Sequence, residues 1–60
     1  MQDFKARLEK LLSEADDCDL IARLATDIQK RELFERLARD YRAMAKDIEK
    51  IIAIRGNAGK

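Results

Sequence analysis

Glu14, Asp16, Asp17, Cys18 and Asp19 gather four carboxylates and the only thiol of this 60-residue chain into six consecutive positions. Oxygen ligands at that density could hold a hard cation. A calcium loop, however, also needs a glycine at its sharp turn and a distal glutamate, and this run has neither. A zinc site wants further thiols or imidazoles, whereas the chain has one cysteine and no histidine. The run therefore reads as a solvated acidic face, able to meet a basic patch on another protein. No metal and no cofactor are expected. Cys18 is a poor redox thiol for a related reason: flanking carboxylates raise its pKa and blunt its nucleophilicity. It reads instead as a small apolar residue of a helix core.

Phosphate chemistry is the next possibility, because Arg31, Arg36, Arg39, Arg42, Lys46 and Lys50 make the second half basic. Glu32, Glu35, Asp40, Asp47 and Glu49 are interleaved among them, and no aromatic stacking platform accompanies them, so nucleic acid is a disfavoured partner. Ser13 has no base near it in sequence, and two helices offer no water-excluding cleft. An enzyme is not expected.

The elements that carry these residues follow from apolar spacing. Proline is absent and the only glycines are Gly56 and Gly59, so nothing between residues 2 and 55 is a strong helix breaker. Phe4, Leu8, Leu11, Ala15, Cys18, Ala22 and Ala25 recur every three or four residues, with Leu12, Ile21 and Leu24 widening the stripe. Phe34, Leu37, Tyr41, Met44, Ile48 and Ile51 repeat the beat in the second half as a heptad-like seam. Two helices are predicted, over about 2–25 and about 28–55, with a flexible tail at 56–60. Thr26 and Asp27 mark the turn, since either can cap the second helix, and Thr26 with Gln29 matches a capping box. Asp27 with Arg31, Glu32 with Arg36 and Glu35 with Arg39 stand in the favourable acid-first order four apart. A competing division, with a helix starting at Leu20 after an Asp17 or Asp19 cap, would give three helices. The apolar beat crosses the acidic run in phase and speaks against it.

Helices of those lengths would be roughly 36–42 Å long, matched well enough to fold back as an antiparallel hairpin. A chain this short has little of its own mass to cover two wide apolar stripes, and it has no disulfide or zinc to staple it. The predicted fold is therefore all-α, an antiparallel helical hairpin that dimerises into a four-helix bundle. Its self-association seam is Leu8, Leu11, Ile21, Leu24, Phe34, Leu37, Tyr41, Met44, Ile48 and Ile51.

The charge balance suits a solvated helical surface: thirteen basic and twelve acidic residues make up 42% of the chain, a mixture that names no nucleic-acid or membrane partner. No stretch approaches the roughly 20 apolar residues of a membrane span. The amphipathic start at Met1-Gln2-Asp3-Phe4-Lys5 is unlike a signal peptide. A cytoplasmic location is expected, in keeping with an unpaired thiol.

Cys18, Ala25-Thr26-Asp27, Arg31, Leu37-Ala38, Tyr41 and Met44-Ala45, taken in order, give a pattern. It resembles that of short alphaproteobacterial helical-hairpin proteins with a Cys-x6-Ala-Thr-Asp turn. The resemblance covers residues 15–45. Ile28 stands where a proline would usually open the second helix in that pattern. What the resemblance implies is a hairpin hinged at Thr26-Asp27, with no activity attached.

The expected function is protein–protein association by a small scaffold module that binds a second copy of itself. Two alternatives stand beside it. One is a regulatory subunit whose seam is completed by a different protein. The other is a nucleic-acid-associated factor acting through the arginines of the second helix.

Overall fold

The structure, a computed structural model, describes residues 3–58, with side chains described from 3 to 55. Two helices make it up, α1 (Phe4–Leu24) and α2 (Ile28–Ala58). Asp3 caps α1 from an extended backbone, its carboxylate accepting the Ala6 N–H at 3.1 Å. That contact satisfies one of the amide groups left without a partner at a helix start. It sets the first helical residue at Phe4 rather than near residue 2.

The acidic run does not interrupt α1, which passes through Asp16, Asp17 and Asp19 without a break. It ends at Leu24, with Ala25 extended (φ −72°, ψ 130°). Asp27, not Thr26, then caps α2: its carboxylate accepts the Gln29 N–H at 2.9 Å and its carbonyl accepts the Arg31 N–H at 3.0 Å. A capping box through Thr26 is not formed, since the shorter Asp27 register already occupies the Gln29 amide. The Arg31 side chain reaches back and donates to the Ala25 carbonyl at 3.2 Å. Arg31 thereby holds the turn rather than forming the expected ion pair with Asp27.

The second helix is longer than expected. Its 31 residues against 21 in α1 correspond to about 46 and 32 Å, so the two are not matched. A glycine ends a helix when it turns left-handed, and no glycine among the described residues has a positive φ. Gly56 therefore continues α2, and residues 56–58, expected as tail, are helical; residues 59 and 60 of that expected tail lie outside the described residues.

The helices pack antiparallel as one hairpin with Cα extents of 50 × 15 × 15 Å. Among the described side chains the buried apolar residues are all small: Ala15, Cys18, Ala22 and Ala25 before the turn, Ala38 and Ala45 after it. Small residues along a contact line let helix axes approach closely. Phe4, Leu8, Leu11, Phe34, Leu37, Tyr41, Ile48 and Ile52 flank this line half-buried. At the open end the Arg55 guanidinium lies over the Phe4 ring, 5.2 Å from its centroid, a cation–π contact that ties α2 to the start of α1.

Midway, Arg42 bridges the helices by donating to Asp16 at 3.2 Å and to Asp19 at 2.5 Å. Among the described residues these are the ion pairs within 4 Å. The expected pairs within α2, Glu32 with Arg36 and Glu35 with Arg39, are not closed. Exposed pairs of that kind gain too little to hold two long side chains in one geometry.

The Arg42 hydrogen bond, aided by the charges of Arg42 and Arg23, holds the Asp19 carboxyl below its usual range against a smaller opposing effect of burial. A depressed folded-state pKa means stability that is complete above the ordinary carboxylate value and lost as pH falls through the folded one. The thermal midpoint should therefore drop on acidification below about pH 4. In Asp19→Asn that acid dependence should flatten, with a lower midpoint at neutral pH, as followed by circular dichroism at 222 nm.

Candidate association surface

An α-helix turns about 100° per residue, so the position of each side chain around α2 follows from the buried Ala38 and Ala45. Leu33, Leu37, Met44, Ile48 and Ile51 share about 60° of arc, turned about 100° from that contact line. Arg42 lies on the other side of the line. One broad face of the hairpin thus carries the Arg42 bridge, and the opposite face carries an apolar row along α2.

The row is open to solvent. Leu33 is 51% exposed, Met44 45% and Ile51 37%, while Leu37 and Ile48 are half-buried. On α1 the same face is continued near the turn by Ile21 and Leu24, the latter 72% exposed. Toward the open end it is continued by Arg7, Lys10, Glu14 and Asp17, which share about 80° of arc with Ile21. Arg7, Lys10 and Glu14 line a groove together with Ala6, Leu11 and Tyr41. The other face has a polar groove of its own, between Asp19, Ala22, Arg23, Arg31 and Glu35.

The seam read from the sequence is therefore split by the fold. Leu8, Leu11, Phe34, Leu37, Tyr41 and Ile48 are half-buried along the hairpin contact. Ile21, Leu24, Met44 and Ile51 are exposed. In heptad terms, Phe34 and Tyr41 face inward together with Ala38 and Ala45, four residues later, whereas Met44 and Ile51 stand on the outer face with the half-buried Leu37 and Ile48 at its inner edge. Ala38 and Ala45, the most deeply buried residues of α2, were absent from the expected seam. Their seven-residue spacing is the signal that could have found them, since it repeats Ala15 and Ala22 on α1.

The basic residues of α2 are in part committed within the chain: Arg31 to the turn, Arg42 to Asp16 and Asp19, Arg55 to Phe4. The acidic run is likewise divided, with Asp16 and Asp19 joined to Arg42. Among the described residues no three His, Cys, Asp or Glu side chains are grouped for a metal ion, and no helix is long and apolar enough to cross a membrane.

Cys18 lies in the contact line, 6% exposed. Burial pushes its thiol pKa up, and the charges of Glu14, Asp17 and Asp19 add to the effect. The folded protein should consequently react with a disulfide reagent at pH 8 at least about tenfold more slowly than the urea-unfolded chain. Equal rates would mean that the helices part readily at this point.

Compared with known proteins, the chain matches no family model, no curated protein and no solved structure.

Proposed function

We propose that this protein is a self-associating helical-hairpin module, two copies of which pack their apolar faces together as a four-helix bundle that serves protein–protein assembly. The observation that carries this reading is the open row Leu33, Leu37, Met44, Ile48 and Ile51, lying beside a contact line made only of alanine and cysteine. Each buried methyl group stabilises by on the order of 0.8 kcal/mol. Ordering a residue costs about 1.5 kcal/mol. A line of small side chains is a weak core for a chain of this length, and covering the large residues beside it is the available source of further stability.

The size of the face supports the same reading. Cα extents of 50 by 15 Å, widened by side chains, are on the scale of the about 800 Å² per partner that stable interfaces bury. An apolar row such as that along α2, rimmed by charged residues of α1, marks association sites.

Light scattering across a concentration series, with circular dichroism on the same samples, tests the proposal. A highly helical species of twice the chain mass is the expected result. A weakly helical monomer at all concentrations would overturn self-association and favour a different protein as the occupant of the face.

A further inference from the structure

We infer that the second copy seats antiparallel, with α1 against α1 and α2 against α2, the two turns at opposite ends of the bundle. This orientation rests on the self-association reading and adds to it an order of charges on α1. Along the flank that borders the apolar row, Arg7 and Lys10 come first and Glu14 and Asp17 follow, all on the face occupied by the groove beside Tyr41.

Two symmetric ways of stacking the apolar faces exist. A two-fold axis along the hairpin sets α1 of one copy against α2 of the other. That lays the four charges on the partner's Met44 and Ile48 and brings Glu14 and Asp17 toward Asp40. A two-fold axis perpendicular to the helices sets each helix against its own copy, running in reverse. The basic pair of one α1 then meets the acidic pair of the other, twice over by symmetry. The α2 row meets itself, apolar on apolar. Opposite charges facing across an interface fix orientation in this way, and like charges exclude the alternative.

Two measurements test the orientation. With Cys18→Ala removing the native thiol, a spin label at Thr26→Cys in the turn reports the distance between turns in the dimer. Antiparallel seating places the labels about 40 Å apart, from a rise of 1.5 Å per residue. A distance of about 20 Å or less would overturn it in favour of parallel seating, leaving self-association intact. The absence of any dipolar pair, with a monomeric mass, would overturn both.

The second measurement is charge exchange. Arg7→Glu with Lys10→Glu should weaken dimerisation about tenfold or more, because the facing flanks become uniformly acidic. Adding Glu14→Lys and Asp17→Lys restores a self-complementary order and should recover the original dimer. If the four-residue exchange remains as weak as the double variant, the antiparallel pairing is wrong.

Discussion

Met44→Asp should abolish the proposed dimer, raising its dissociation constant by about a hundredfold or more, while the hairpin itself is little changed. The two effects separate because of where Met44 sits. In the single hairpin its side chain is 45% exposed, and exposed substitutions away from caps and networks usually fall within about 0.5 kcal/mol. In a bundle closed over the Leu33–Ile51 row, the same carboxylate would be buried once in each copy without a partner. The penalty for an unpaired buried charge is several kcal/mol per group, and about 1.4 kcal/mol is a factor of ten in an equilibrium constant. Sedimentation equilibrium of wild type and variant is the decisive measurement. An unchanged mass for Met44→Asp would show that the row is not the interface.

Ala15→Leu should be the most damaging single change to the hairpin. Ala15 is fully buried on the line where α1 meets α2, opposite a helix whose own contact residues are Ala38 and Ala45. Three added carbons have no space along such a line unless the helices move apart. Separation would loosen the contacts at Cys18 and Ala22 and lengthen the reach of Arg42 to Asp16 and Asp19. Overpacking of a closely fitted core costs about 1–3 kcal/mol, which in a domain of this size lowers the thermal midpoint by about 5–25 °C. Ala43→Leu is the control, because Ala43 is exposed on the same kind of helical backbone and should leave the midpoint nearly unchanged. Equal midpoints for the two variants would mean that the alanine line does not set the helix separation.

Much of this fold is legible in local spacing. The absence of proline and of internal glycine, with apolar residues every three or four positions, is sufficient for two helices. A polar pair at Thr26-Asp27 between them is sufficient for a turn. Even the choice against a break at Asp16-Asp17-Asp19 follows from the unbroken phase of the apolar beat. Caps are harder to read, because Thr26 and Asp27 are both competent and the outcome depends on which amide each can reach. The Asp27 contact to the Gln29 N–H and the Arg31 contact to the Ala25 carbonyl settle that turn through side-chain geometry.

The apolar beat determines that α2 has an apolar side; it does not determine which part of that side meets α1. The heptad-like run from Phe34 to Ile51 is wide enough for two neighbours, and sequence spacing weights its residues alike. Tertiary packing distinguishes them by size. The helices turn toward each other the strip where alanine stands, Ala15, Ala22, Ala38 and Ala45, because close approach along small residues lets the larger Phe34 and Tyr41 pack around the line. That rotation carries Leu37, Met44 and Ile51 to the outer face and the Arg42 bridge to the opposite one. One property is thus local, the period of the chain, and is written in the residues themselves. The division into an inner contact and an open face depends on two helices fitting together in space, and only the folded hairpin decides it.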